Sequence, residues 1–499
     1  MKNAIDFFNL FFTVEMINSI CVNTNSYANE HIFQGTHQTY AKSDGSWQDV
    51  TPDEIRKLIG LLIYFGLVKV VGNVEKYWSK KSLYNGLWAR AIMPRLRFKA
   101  LMALLHVVDP ATEVPADTLH SVESFVNYFK IRCRELYQPR QNVAIDERMV
   151  KSRHRSGIRQ YIRDKPTKWG IKLWVLADSS NGYTIDFDIY IGKHAGRDVS
   201  AHGLGYDVVV KLMQPYLNQG YHLLVDNFYT SVPLFKTLFT QGVPATGTIT
   251  ETRRNFPAAL KNSKVWAQGK EKGAMRWERD ASCLALQWID NKVVSVLTTI
   301  DNANDRVQVN RKSKTAGVWS TKVVYQPKAI SNYNKYMNAV DRSDQILATN
   351  NVLRKCMRWW KTLFFHLIDI AVVNSFILFR EHQANNPDDE ALHRSKDYSL
   401  SSFREEIVRQ LCDFPEYEEA PSSTKLKPSH PLEDFETLHI PEYVHSDDRR
   451  RCVVCYKQGR GELKVQSYCS APQCKGKFMH TSRDKNCFRV FHSREYQSS

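Results

Sequence analysis

Apolar residues recur every three to four positions up to about Tyr137, the period of helices packed by one face. "TPDEIRKLIGLLIYFGLV" opens on Thr51, a good cap, with Pro52 at the first helical position and acids in the first turn. "MPRLRFKALMALLHVVD" and "SVESFVNYFKIRCRELY" repeat the spacing and predict two more helices. At Asn142 the pattern changes. "NVAIDERMV", "GIKLWVLADS", "YTIDFDIYIG" and "GYHLLVDNFYT" are short and rich in β-branched and aromatic residues, which predicts strands. "DVVVKLMQPYLNQG" reads as a helix ending at Gly220, and "SVPLFKTLFTQG" as another closed by Gly242. Strands followed by strand–helix alternation predict a mixed sheet with helices packed on it.

Residues 251–328 contain further strand-like runs separated by basic turns, and their texture suggests an insertion. From Asp341 to about Gln383 the chain again reads as helical. "EEAPSSTKLKPSHPLED" has the Pro, Ser and charge content of a linker, and a Cys/His-rich tail follows it.

Two segments are greasy enough to raise the question of a membrane. Leu58–Val71 is short and contains Lys69; Thr362–Phe379 carries His366, Asp369 and Asn374. A span needs about 20 mostly apolar residues, so both are expected to be buried helices. "MKNAIDFFNLFFTVEM" has an acid inside its apolar run and no small-residue cleavage site. A soluble, intracellular chain without a membrane partner is the expectation. At 499 residues it is long enough for roughly three or four domains, and a net charge of +17 favours polyanionic partners.

Asp146 in "VAIDERM", Asp226 in "LLVDNFY" and the pair Asp341/Asp344 in "NAVDRSDQ" fall at strand ends or turns. A carboxylate at the mouth of a buried strand is tolerable when a divalent cation neutralises it. Mg²⁺ suits such acids because it accepts a few carboxylates and keeps positions for substrate phosphate. Asp341 and Asp344 share a face if they lie in one helical turn. Asp164, Asp178, Asp186, Asp188 and Asp198 are read instead as caps, turns or surface acids.

The words around the four acids narrow the choice. "RQYIRDKPTKWGIKLWVLAD", "GLGYDVVVKLMQPYLNQGYHLLVDNFYTSVPLFKTLFTQGVPATGTI" and "YNKYMNAVDRSDQ…RKCMRWWKTLFFHLIDIAVVNSFILF" closely resemble the piggyBac family of DNA transposases over nearly the whole chain. The resemblance implies a multidomain α+β protein. Its parts would be a ribonuclease-H-like catalytic core, a mostly helical DNA-binding and dimerisation domain, a β-rich insertion and a C-terminal cross-braced zinc finger. It implies two Mg²⁺ or Mn²⁺ ions held by Asp146, Asp226, Asp341 and Asp344. It also implies a nuclear homodimer that nicks double-stranded DNA at transposon ends, forms a hairpin and joins the element at TTAA.

The expected boundaries are 1–141 and 351–420 for the helical domain, and 142–250 and 329–350 for the core. The insertion would span 251–328, the linker 421–444 and the zinc-binding domain 445–499. Departures from the family pattern are Asn338 and Ala339 in place of a glycine pair, and Thr250 and Thr252 in place of an Arg and an Asn.

Arg153, Arg155, Arg159, Lys165 and Lys168, interleaved with Tyr161 and Trp169, are candidates for holding phosphates beside the acids. Arg253 and Arg254 follow the second Asp, and Arg354, Lys355, Arg358 and Lys361 make a second basic patch.

In the tail, Cys452, Cys455, Cys469, Cys474, His480, Cys487 and His492 have the spacing of structural Zn²⁺ ligands. Seven ligands suggest two ions with one partner missing. His439 is the candidate eighth, from the family's His-x-Pro, and His445 is the alternative. The finger's partner is either DNA or a protein such as chromatin. Two other functional readings stand beside the transposase: a host-adopted nuclear DNA- or chromatin-binding protein without catalysis, and a nuclease without strand joining.

Overall fold

The computed structural model describes residues 1–499 except 85–86, 115, 164, 193–198, 316–317, 357, 415–438, 462, 475 and 494–499. The chain divides into two compact units, Met1–Pro415 and Glu416–Ser499. Asp164, Asp198 and most of the expected linker lie outside the described residues.

The first unit begins with helices α1 (Ala4–Phe8), α2 (Val14–Phe33), α3 (Pro52–Leu67), α4 (Ala89–Ile92), α5 (Arg95–Leu104) and α6 (Glu123–Glu135). Thr51 caps α3 as its sequence predicts: its Oγ1 accepts from Glu54 N at 3.2 Å, and Glu54 Oε2 accepts from Thr51 N at 3.2 Å. Phe7, Phe8, Phe11 and Phe12 are all buried, with Phe8 and Phe12 stacked at 5.1 Å.

Strands β1 (Asn142–Lys151), β2 (Arg159–Tyr161), β3 (Trp169–Asp178) and β4 (Thr184–Ile189) follow. Then come α7 (Leu204–Met213), β5 (His222–Val225), α8 (Val232–Thr240) and β6 (Ala245–Thr248). α7 starts earlier than its sequence suggests and gives way to a 3-10 turn at Gln214–Tyr216, where Pro215 supplies no amide. α8 ends where expected, with Gly242 in the left-handed region at φ 68°.

The chain continues through α9 (Ser263–Trp266), β7 (Met275–Asp280), β8 (Cys283–Ile289), β9 (Val293–Thr298), β10 (Arg306–Thr315) and β11 (Val318–Pro327). The first unit then runs through α10 (Lys328–Tyr336), α11 (Ala339–Ala348), α12 (Trp360–Asn385) and α13 (Leu400–Leu411).

Nine strands form one mixed sheet in the order β2-β3-β1-β5-β6-β9-β8-β7, with β4 also paired to β3. β1, β5 and β6 are mutually parallel, and the other pairings are antiparallel. β7–β9 do not stand apart as their texture suggests. β9 pairs with β6 through Thr246↔Thr298 and extends the same sheet. β10 and β11 form a separate ribbon that packs through Val324 in a small core with Trp288.

The segment from Asp341 to Gln383 is also not one helical run. α11 stops at Ala348, and Asn350 turns the chain at φ 54°. Both carboxylate oxygens of Asp369 then accept from Val352 N at 3.0 Å, holding an irregular stretch before α12. Arg354, Lys355 and Arg358 lie on that stretch, and Trp359 is the cap of α12. α12 is long and apolar enough to cross a membrane, but the apolar stretch is almost wholly buried among its neighbours. Its Asn374 clamps the edge strand β4, accepting from Thr184 N and donating to Thr184 O, both at 3.0 Å.

One glycine in the sheet has a strict packing reason. A Cβ at Gly247 of β6 would sit 2.2 Å from Thr230 Oγ1 and 2.7 Å from Val225 O, against the loop that carries Asp226. Gly247→Ala is therefore expected to lower stability by about 2–4 kcal/mol, because backbone must move. Thermal melts of the variant check this.

The second unit contains β12 (Pro441–Tyr443), β13 (Arg450–Arg451), α14 (Val453–Lys457), β14 (Lys464–Val465), β15 (Ser467–Cys469) and α15 (Cys487–Phe491). β12 pairs with β15 and β13 with β14. Its buried cluster is small, and half of it is cysteine: five cysteines with Val454, Val465, Ala471, Phe478 and Met479.

Candidate active site and metal centres

Parallel register brings the first two acids together. Ile145 of β1 pairs with Val225 of β5, so Asp146 and Asp226 are the next residues on neighbouring strands. Asp226 leaves the sheet in a tight turn: its Oδ1 accepts from Phe228 N at 2.8 Å, and its carbonyl accepts from Thr230 Oγ1 at 2.7 Å. Asp341 and Asp344 sit on α11, which packs on β1 and β3, and both line one cavity of about 540 Å³ with Arg148 and Lys165.

Lys165, from the loop between β2 and β3, links the two pairs. Its Nζ donates to Glu147 O at 3.2 Å, and its charge favours the ionised forms of Asp146, Asp226 and Asp344.

Arg148 is the residue sequence reasoning missed. It lies two positions beyond Asp146, hence on the same face of β1, and its side chain is 2% exposed. Its Nε donates to Asp344 Oδ1, while Nη2 donates to Ser343 Oγ at 2.8 Å. The signal was an arginine inside a strand otherwise read as buried, which demands an anionic partner.

Burial pushes the Asp146 carboxyl up to about 7, against the pull of Lys165. Burial likewise raises Asp226, opposed by the Phe228 amide, and Asp344, opposed by Arg148. Among the described residues, these four acids are not drawn into any group of three whose ligand atoms lie within 4.8 Å of one another. Like charges repel, Arg148 takes up an oxygen of Asp344, and the Phe228 amide takes up one of Asp226. The donor set still suits a hard divalent cation: oxygen ligands only, three of them (Asp146, Asp226 and Asp344) raised in basicity by burial.

The sign of the pH effect follows. The proton on Asp146 stabilises the metal-free fold fully below the ordinary carboxylate range, and that stability is lost as pH rises through about 7. Asp146→Asn is expected to melt higher than the unsubstituted chain above pH 7 by about 1–2 kcal/mol after solvent screening, and to converge with it near pH 4. Melts across pH without added divalent metal check this.

The basic candidates divide. Arg153, Arg155 and Lys168 are exposed, and Arg159 stacks on Trp169 at 4.5 Å. Arg153, Arg159 and Lys168 line a groove of about 350 Å³. Arg253 is drawn inward, donating to the carbonyls of Asn227 and of Phe228, the latter at 2.8 Å, so it braces the Asp226 loop; Arg254 is exposed. Arg354 is turned in over Phe65 at 4.4 Å, Lys355 is exposed, and the exposed Arg358 donates to Tyr27 Oη at 2.7 Å. Of the acids read as caps, turns or surface, Asp178 is buried but does form a turn, its Oδ1 accepting from Ser180 N at 2.7 Å, whereas Asp186 and Asp188 are buried within β4 with Lys130 and Lys211 among their partners.

In the second unit all eight candidate ligands meet in two quartets. One is His439, Cys469, Cys474 and His492; the other is Cys452, Cys455, His480 and Cys487. His439 Nδ1 lies 3.3 Å from Cys469 Sγ, Cys474 Sγ 3.6 Å from His492 Nε2, and Cys455 Sγ 3.6 Å from both His480 Nδ1 and Cys487 Sγ. These are the edges of tetrahedra with metal–ligand bonds of about 2.0–2.3 Å. His492 Nδ1 lies 2.8 Å from Phe488 O, which leaves Nε2 for a metal. The alternative His445 is exposed and pairs with Asp447. The quartets interleave along the chain, as a cross-brace requires.

Comparison with known proteins places this arrangement. The profile described as Transposase IS4 matches residues 3–376. The chain belongs to this transposase family, in its piggyBac branch. It is 25% identical to human PiggyBac transposable element-derived protein 3 over 84% of this chain and 68% of that protein. It is also 25% identical to human PiggyBac transposable element-derived protein 2 over 91% of this chain and 73% of that one.

Its fold matches a cryo-EM structure of a piggyBac transposase synaptic complex with hairpin DNA at a TM-score of 0.70, with 23% identity, over 97% of this chain and 98% of that chain. Against that family background the loss of the glycine pair has a simple structural outcome. Asn338 precedes α11 at φ −75° without a side-chain capping bond and Ala339 begins the helix buried, so neither position needs glycine's freedom. Thr250 and Thr252, at the other departure, bond to each other at 3.1 Å and present no cation.

Proposed function

We propose that this piggyBac-family chain is a metal-dependent DNA transposase with a ribonuclease-H-like core, which cuts transposon ends, forms a hairpin and joins DNA at TTAA. The observation that carries this reading is the register that sets Asp146 beside Asp226, with Asp341 and Asp344 across Lys165. Two Mg²⁺ or Mn²⁺ ions held by the four carboxylates would supply the Lewis acidity that in-line displacement at phosphorus needs.

The remaining work falls to side chains of the chain itself. Lys165 holds a phosphate oxygen beside the acids, and Arg153, Arg155, Arg159 and Lys168 bind the flanking backbone. Arg254, Lys355 and Arg358 add contacts to the duplex. Arg253 keeps the Asp226 loop in place, and Arg148 orients Asp344. The two Cys/His quartets hold Zn²⁺ and form a cross-braced finger for DNA or a chromatin protein. The working form is a homodimer in the nucleus.

One observation favours a second reading, a DNA- or chromatin-binding protein that no longer cuts: Asp344 is already paired with Arg148. One assay separates the two. The chain is incubated with Mg²⁺ and DNA carrying its own element's ends beside TTAA. Nicks followed by hairpins and joined products support the transposase; binding without cleavage supports the second reading. Nicks without hairpins reduce the activity to that of a nuclease.

A further inference from the structure

A cavity of about 1160 Å³ in the first unit has a basic lining that includes none of the four acids, although it shares Asn351 and Leu353 with the cavity that Asp341 and Asp344 line. Lys69, Arg354, Lys355 and Arg358 stand over an aromatic floor that includes Phe65 and Tyr77. Among the described residues, no Asp or Glu lines it. Two further cations in the wall have partners. Lys99 pairs with Glu75, and the buried Lys361 donates to the carbonyls of Met102 and Ala103 at the end of α5.

Arg354 is different. Its guanidinium lies over the Phe65 ring at 4.4 Å and interacts with Tyr77, but its Nε is buried without a hydrogen-bond partner. A buried donor on a charged group is costly to leave unmatched, and the cavity offers no carboxylate to match it.

We infer that this cavity is a phosphate-binding site. Arg354 supplies the planar fork and Lys69, Lys355 and Arg358 the surrounding positive charge for a ligand with two or more phosphate groups. Arginine on an aromatic face with lysines around it suits phosphate, whose several charges and oxygens engage both kinds of donor at once. Two sources share that chemistry, the backbone of bound DNA and a free polyphosphate ester. The inference deepens the DNA-contact role proposed for Lys355 and Arg358, and it does not require the carboxylate site to be catalytic.

The test is calorimetric titration of the full chain with inorganic tripolyphosphate, without added divalent metal. Saturable one-to-one binding is expected, weakened at least about tenfold in Lys69→Glu/Lys355→Glu. Both side chains are exposed, so that variant is expected to keep its fold. Arg354→Lys, which keeps the charge and loses the fork, is expected to weaken binding as well.

A duplex of about 20 base pairs then identifies the source. Displacement of tripolyphosphate assigns the cavity to DNA backbone; simultaneous binding assigns it to a free phosphate ester. Absence of saturable binding, or binding indifferent to Lys69, Lys355 and Arg354, overturns the inference. The titration involves no cleavage, so its failure leaves the transposase reading intact. Loss of cleavage, in turn, leaves this site intact.

Discussion

Asp226→Asn is expected to reduce nicking and hairpin formation at least about a thousandfold, while DNA binding stays within about threefold of the unsubstituted chain. The side chain contributes little to the fold beyond its turn bond to Phe228 N, which an asparagine Oδ1 reproduces. What asparagine removes is the negative charge beside Asp146. Burial already raises both carboxylates, so the metal-free protein is expected to melt at the same temperature or higher in this variant. Cleavage of labelled element ends in Mg²⁺, with filter binding of the same DNA, measures the two quantities side by side. An unfolded variant would lose both, whereas a missing metal ligand loses only the first.

Removing thiophilic metal is expected to unfold the second unit and leave the first standing. The second unit has few buried apolar side chains apart from its cysteines, too few to stabilise a domain of that size without a cross-link. Its two quartets are what a pair of Zn²⁺ ions would tie together. Treatment with a strong chelator should therefore open residues 439–493 to proteolysis while Met1–Pro415 keeps its melting transition. Cys455→Ser breaks one quartet only, and bound zinc should fall from two ions per chain to about one. Zinc content by atomic absorption, read with the proteolysis pattern, checks both statements.

How far the sequence could be read depended on whether the physics was local. Thr51, Pro52 and Glu54 define the start of α3 within four residues, and the structure builds that cap in full. Cys452 and Cys455, or Cys469 and Cys474, announce metal because a short loop already brings two thiols together. His439 sits thirty residues from Cys469 and was legible only through the family's His-x-Pro.

Pairings across long separations were not legible. β9 joins β6 through Thr298 and Thr246, which no periodicity links. The end of α11 depends on Asp369 capping Val352, seventeen positions earlier, so the stretch carrying Arg354 read as helix. Arg148 escaped notice because its partners, Ser343 and Asp344, are nearly two hundred residues away. The four acids could be nominated from the words around them, but the strand-end reading holds for Asp226 alone: Asp146 lies within β1, and Asp341 and Asp344 lie on α11. That Arg148 pairs with Asp344, and that Lys165 comes to lie beside Asp146 and Asp226, depends on three-dimensional packing alone.

An anomalous difference map from crystals of the chain soaked in Mn²⁺ tests the central claim most directly. The account predicts Mn²⁺ bound to both Asp146 and Asp226 at about 2.0–2.3 Å, with Asp344 turned from Arg148 toward a metal. Mn²⁺ absent from these carboxylates, with Arg148 and Lys165 still in place beside them, would contradict it.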